Sequence, residues 1–368
     1  MKIGVPKEVK NLENRVSIVK AGVKALIRQG HEVVIQSGAG VGSGIEDHVY
    51  QECGATIVSS AKEAWDADLV LKVKEPQPEE FSLMREGQYL FTYLHLANEL
   101  ELTKALMEKK VRAIAYETIQ LPDNSLPLLR PMSEVAGRMA PQVGAHFLEK
   151  TQKGRGVLLG GVPGVPRGVV TVIGGGVAGT NAAKIAVGLG ARVNIIEVGQ
   201  KRLEYLDDVF GSTINPLMSN DTNIEESVLR SDVVIGSVLI PGAKAPKLVT
   251  TELMKKMKPG SVLVDIAIDQ GGCFESSRPT SHQNPIFVEN GVIHYCVTNM
   301  PGAVARSSTL ALTNHTLRYL LKICQDPVGA MKNDPTLKFG ANCWDGHCVY
   351  KQVADDLGLD YQSLDQLL

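Results

Sequence analysis

The sequence predicts an α/β protein of two doubly wound, Rossmann-like domains, one inserted into the other. Three observations carry this. Apolar β-prone runs alternate with helical patterns, as in parallel sheets covered by helices on both faces. The chain has 368 residues, more than a single hydrophobic core usually organises. A glycine-rich turn of a particular kind begins mid-chain, with strand–helix units on both sides of it. Residues 1–130 and 303–368 are therefore expected to form one discontinuous domain, and 131–302 the inserted one.

Taken in order, residues 2–6 read as a strand. Ile18, Gly22, Val23, Leu26 and Ile27 share a helical face, and Gly30 ends that helix. Residues 31–36, 68–74, 88–95 and 111–116 read as further strands, with a helix over 99–109. Pro122, Pro127 and Pro131 break the pattern. A long helix follows with Ser133 as its N-cap and a kink at Pro141. Residues 154–168 form a Gly/Pro loop; later strands cover 233–236, 261–266 and 292–297, and a last long helix covers 303–323.

The stretch VVTVIGGGVAGTNAAKIAVGLGARVNIIE, residues 169–197, is the most informative. Gly174, Gly176 and Gly179 hold the glycine positions of G-x-G-x-x-G, followed by Val177 and Ala178 at the start of a helix. The first glycine permits the tight turn, the second lets backbone approach a pyrophosphate, and the third lets helix and strand pack closely. The helix then directs free N–H groups and its positive dipole end at the phosphates. Glu197 lies 21 residues past Gly176 and ends the second strand, where a carboxylate accepts ribose hydroxyls. That acid opposes a 2′-phosphate and favours NAD over NADP, although Lys201 and Arg202 lie just beyond it. The fingerprint alone also admits a flavin or another adenine nucleotide.

Composition narrows the class. A formal charge of −2 gives no reason to expect nucleic acid or an anionic membrane surface as partner. No apolar run has the length of a membrane span, and MKIGVPKE lacks the apolar core of a signal peptide. The six cysteines are scattered and read as free thiols of a reducing cytoplasm. The segment CWDGHC, 343–348, suggests a metal site, but no second Cys/His pair accompanies it, and no metal is expected.

Open α/β sheets bind ligands beyond the carboxyl ends of their strands. Lys74 ends ADLVLKVK and His95 ends QYLFTYLH, both at such an edge. An imidazole there suits proton exchange near neutral pH, and an ammonium suits a carboxylate; a structural histidine and a solvated lysine are the plain alternatives. Arg15, in the loop NLENRVSI, offers a bidentate carboxylate clamp or is an ordinary surface arginine. Asp269 follows SVLVDIAI and could relay protons, contact ribose or amide, or cap a helix.

The opening MKIGVPKEVKNLENRVSI, then VKEPQPEE, YLFTYLHLA, RPMSEVAGRMA, LLGGVPGVPRGVVTVIGGGVAG, DIAIDQGGCFE and HYCVTNMPGAVARSSTLAL together resemble bacterial NAD-dependent L-alanine dehydrogenases over nearly the whole chain. The resemblance implies that the discontinuous domain holds substrate and the inserted domain holds NAD, with the substrate in the cleft between them. Arg15 and Lys74 would hold the carboxylate of L-alanine or pyruvate. His95 would be the general acid/base, with Asp269 beside the reacting carbon and nicotinamide. Ser133, Glu197, Arg202, Ser219, Val238, Leu239, Ile266, Asn299 and Met300 would line the cofactor site with the glycine turn. A cytoplasmic homohexamer that interconverts L-alanine with pyruvate and ammonium is implied. The nucleotide-binding part of a proton-translocating transhydrogenase and a catalytically silent NAD-binding protein are the alternatives. The chain departs from the family at Glu197, commonly Asp; at Val19-Lys20, commonly Thr-Pro; at Ala305, commonly Pro; and at Cys343 and Cys348, which are not expected.

Overall fold

The computed structural model describes residues 1–238 and 245–368. The chain divides into two compact units, Met1–Met132 with Val304–Leu368, and Ser133–Ala303. It begins in the first unit, passes through the whole of the second and returns.

The first unit opens with β1 (Lys2–Val5), β2 (Glu32–Gln36), β3 (Thr56–Val58), β4 (Leu69–Leu71), β5 (Tyr89–Thr92) and β6 (Arg112–Ala115). All six run parallel, in the order β3-β2-β1-β4-β5-β6. The order reverses between β1 and β4, which opens a crevice beyond their carboxyl ends. The period of two sorts the strand residues onto two cores. Ile3, Val5, Leu69, Leu71, Phe91 and Ile114 pack on one face. Val70, Leu90, Ala113 and Ala115 pack on the other, around Trp65. Gly4 lies so close to the helix Ala61–Trp65 that a Cβ would meet the Ala64 carbonyl oxygen at 1.8 Å. That helix starts from a reciprocal Ser60/Glu63 capping box.

The second unit contains β7 (Val169–Ile173), β8 (Arg192–Glu197), β9 (Ile214–Met218), β10 (Val233–Gly236), β11 (Val262–Asp265), β12 (Ile286–Glu289) and β13 (Val292–Tyr295). Their order is β12-β13-β11-β10-β7-β8-β9, parallel except for the β12–β13 pair. The order reverses between β7 and β10, and the helix Val177–Gly188 leaves the carboxyl end of β7 there. Back in the first unit, the helix Ala305–Gln325 is followed by β14 (Ala341–Trp344) and β15 (His347–Cys348), an antiparallel hairpin on the β6 edge.

Several elements differ from the sequence reading. The strand expected over 68–74 is β4, which ends at Leu71, and that over 88–95 is β5, which ends at Thr92. Lys74 and His95 therefore lie past their strands rather than at their last positions. Ser133 is not an N-cap: the helix Arg130–Phe147 starts three residues earlier and takes Pro131 into its first turn, where a missing N–H costs nothing. Pro141 lies inside this helix and cannot donate to the Gly137 carbonyl. CWDGHC is the β14–β15 hairpin. Asp345 (φ +46°) and Gly346 (φ +92°) make its two-residue turn. Asp345 pairs bidentately with Arg112 at 2.7 and 3.0 Å, and Cys343 faces Cys348 across the ladder as a free, buried thiol. Among the described residues no helix is long and apolar enough to cross a membrane.

Candidate functional site

In the second unit the proposed cofactor residues gather where parallel strands end. Gly174 follows β7, Glu197 ends β8, Ser219 follows β9, Val238 lies two residues past β10, and Ile266 follows β11. Gly174 adopts φ +100°, a conformation only glycine takes without strain. A Cβ on Gly179 would sit 1.8 Å from the Gly174 carbonyl oxygen, so helix and turn touch backbone to backbone. A Cβ on Gly176 would meet nothing within 4 Å among the described residues, which leaves the approach to the helix N-terminus open. Val177 and Ala178 supply the first turn of that helix. Tight glycines on either side of an open one form the cradle that a pyrophosphate requires, so the residues present fit a dinucleotide.

Glu197 holds this turn from the neighbouring strand. Its carboxylate accepts the N–H of Gly175 at 2.7 Å and those of Val198 and Gly199 at 2.8 and 3.0 Å. Arg202 donates to the Gly175 carbonyl at 2.6 Å and to the Thr180 hydroxyl oxygen at 2.7 Å, with its guanidinium 4.5 Å from the Tyr205 ring centre. Ser219 donates its N–H to the Glu197 carbonyl. Ser133 is half-buried in the first turn of its helix. Asn299, at φ +57°, accepts at its carbonyl from His282 Nε2, and Met300 is buried beside it. Leu239 lies outside the described residues.

Asp269 is exposed in a short turn after β11. The loop that carries it is tied to Asp265, which is fully buried at the strand end. The Asp265 carboxylate accepts the N–H groups of Ala267, Cys273 and Phe274 and the Ser277 hydroxyl. Burial pushes the Asp265 carboxyl above its ordinary pKa, against these bonds.

In the first unit, Arg15 lies in the loop after β1 and Lys74 in the segment after β4, the two strands that flank the crevice. Arg15 is buried, not the surface residue that sequence allowed, and Glu13 clamps it bidentately at 2.7 and 2.6 Å. Burial alone would raise Glu13, but the Arg15 bonds and charge outweigh it and hold Glu13 below the usual carboxylate range. Lys74 makes no side-chain hydrogen bond or ion pair among the described residues. Burial, joined by the Arg15 and Lys10 charges and opposed by Glu75 and Glu13, pulls its ammonium below the ordinary lysine range. An under-neutralised ammonium beside a fixed guanidinium is a place for a carboxylate.

Beneath Lys74 lies a charge cluster that sequence reading missed. Lys72 is completely buried and pairs with Glu8 at 3.1 Å and Glu80 at 3.0 Å. Glu8 also accepts the Val73 N–H at 2.6 Å. A lysine within the apolar run LVLKV was the available signal, since a buried ammonium needs carboxylate partners.

His95 is exposed, whereas residues 91–94 and 96 are buried. Its ring lies parallel to that of Tyr93, with centres 5.8 Å apart. Tyr93 is itself fixed by a 2.5 Å hydrogen bond from its hydroxyl to the Leu128 carbonyl.

A glycine cradle that fits a dinucleotide thus lies at the switch point of one sheet, and a half-buried ammonium and an exposed imidazole lie past the carboxyl ends of strands of the other. The family follows from comparison with known proteins. Residues 4–136 match the family model of the alanine dehydrogenase/PNT N-terminal domain, and residues 140–351 that of the alanine dehydrogenase/PNT C-terminal domain. The chain belongs to the alanine dehydrogenase/PNT family. It is 57% identical to an alanine dehydrogenase of Staphylococcus haemolyticus (strain JCSC1435) over all of this chain and 99% of that one. A solved L-alanine dehydrogenase is similar with a TM-score of 0.96 and 51% identity, covering 97% of this chain and 99% of its own. A transhydrogenase from Sinorhizobium meliloti gives 0.82 and 28%, covering 95% and 99%.

Proposed function

We propose that this protein catalyses the NAD-dependent oxidative deamination of L-alanine to pyruvate and ammonium, and the reverse reductive amination. The observation that carries the reading is Lys74, a half-buried ammonium with no side-chain hydrogen bond or ion pair among the described residues, close enough to clamped Arg15 to feel its charge and at the sheet edge where His95 is presented. The unit of residues 133–303 binds NAD through Gly174, Gly176, Val177, Ala178, Gly179, Glu197, Arg202, Ser219, Val238, Leu239 and Ile266, with Ser133, Asp269, Asn299 and Met300 toward the nicotinamide. The other unit binds substrate.

NAD, when bound, accepts the hydride from the alanine α-carbon. Arg15 and Lys74 hold the substrate carboxylate and so orient that carbon. His95 takes a proton from the water that attacks the resulting imine carbon and returns one to the departing nitrogen. Atoms balance as L-alanine, NAD⁺ and water giving pyruvate, ammonium, NADH and a proton. Asp269 acts beside the reacting carbon.

The transhydrogenase reading is the weaker one, since identity to that relative is 28% against 51% for the solved L-alanine dehydrogenase. The enzyme works in the cytoplasm, in L-alanine catabolism, as a homohexamer. Leu158, Val162 and Val165 support self-association: they are 66%, 53% and 57% exposed on one loop without a charged residue between them. Initial rates with purified protein test the activity. NADH should form from NAD only when L-alanine is added, and pyruvate with ammonium should consume it. Turnover that is independent of alanine would refute the reading. Light scattering should give six times the chain mass, and a monomer would refute the assembly.

A further inference from the structure

Glu117 follows β6 and has no cationic partner among the described residues. Its carboxylate accepts the Leu94 N–H, at 3.1 Å to Oε1 and 3.2 Å to Oε2, and the His95 N–H at 2.6 Å. His95 has φ +52°, a left-handed conformation that a residue with a Cβ seldom adopts without outside support. The chain has just left β5 at this point, and Leu94 on one side and Leu96 on the other are buried. Glu117 is the one acceptor that these two consecutive N–H groups have among the described residues.

We propose that Glu117 is a positioning residue for His95. The carboxylate gathers the two N–H groups, fixes the left-handed turn and thereby turns the imidazole out of the buried run, where Tyr93 stacks on it. Charge-assisted bonds from backbone N–H to carboxylate are strong enough to hold a backbone in a disfavoured region. Glu117 acts on His95 through hydrogen-bond acceptance from its N–H. This inference rests on the reading of His95 as the acid/base.

Steady-state kinetics of the full-length enzyme test it with Glu117→Ala, Glu117→Asp and Glu117→Gln. The Ala variant should lose roughly tenfold or more in kcat, with KM for L-alanine and NADH affinity changed by less than about threefold, because a misplaced base costs rate more than binding. The Asp variant, too short to reach both N–H groups, should fall with it and stands in for Ala if that protein does not fold. The Gln variant keeps an acceptor oxygen and should recover to within about threefold of wild type. Wild-type kcat in Ala or Asp overturns the proposal. So does a Gln variant as slow as Ala, which would assign the effect to charge. Carbethoxylation of His95, read by peptide mass, separates this inference from the function itself. Its rate should shift in Asp or Ala whether or not the protein turns over alanine, and an unchanged rate overturns the positioning role.

Discussion

The two sheets satisfy the charges at their carboxyl edges in different ways. In the first unit, buried cations are matched by buried carboxylates, Arg15 by Glu13 and Lys72 by Glu8 and Glu80, with Lys74 left over. In the second, the carboxylates of Asp265 and Glu197 are satisfied by backbone N–H groups, and Arg202 bonds to carbonyl and hydroxyl oxygens. The difference follows from the ligands. A small carboxylate offers little area and needs full charges held in place, and desolvating those charges demands counter-ions. A dinucleotide offers a pyrophosphate that backbone N–H groups and a helix end can hold, so the protein needs glycines and an anchored turn instead.

Stability gives the largest expected effect. Lys72→Ala leaves two carboxylates buried without their ammonium and should cost about 3–5 kcal/mol in urea denaturation. Asp265→Asn places an amide N–H₂ among donors and should cost less, about 1–3 kcal/mol. If Asp265→Asn were the worse of the two, the contrast between the ion-paired edge and the edge satisfied by backbone would be broken.

Substrate binding comes next. Lys74→Met removes a charge-assisted contact without exposing a buried partner, and should lower kcat/KM for L-alanine by about 1.5–3 kcal/mol, roughly 10- to 150-fold. NADH affinity, measured by fluorescence titration, should not change. A matched loss of NADH affinity would show that the edges do not divide the ligands.

Glu197→Ala should weaken NAD roughly tenfold and narrow its advantage over NADP, because the ribose acceptor and the repulsion of a 2′-phosphate leave together. Equal use of both cofactors by wild type would hand the adenosine end to Lys201 or Arg202.

The smallest effect is a pH slope. Glu13 is held below its ordinary pKa in the folded state, so its contribution is complete above the unfolded value, about 4.5, and is lost as pH falls through the folded one. Glu13→Gln should flatten the acid limb of stability below about pH 4.5. An unchanged limb would mean that other carboxylates carry it.

Much of this was legible in the sequence, and the failures have physical causes. The glycine spacing was legible as a tight strand-to-helix turn because Gly174 needs its positive φ and Gly179 its close approach to the Gly174 carbonyl. QYLFTYLH read as one strand to His95 because burial continues through Leu94, whereas the last interstrand bond is that of the Tyr93 N–H to the Val73 carbonyl. The break is made by Glu117, 22 residues away, which local periodicity cannot register. Pro131 read as a breaker although prolines favour a helix's first turn. Asp345-Gly346 was an available hairpin signal, obscured by the cysteines and histidine around it. The surface alternative for Arg15 stayed open because nothing in a linear pattern says that Glu13, two positions away, has folded onto it.

If the exposed imidazole at the ion-paired edge does the proton chemistry, its loss should stop turnover and leave nucleotide binding at the other edge intact. His95→Ala tests it most directly, with alanine-dependent NADH formation and NADH binding measured on one preparation. Turnover should fall by roughly 10²–10⁴-fold, the usual contribution of a general acid/base, while NADH binds as to wild type. Turnover retained near the wild-type rate would contradict it and pass the proton role to Asp269.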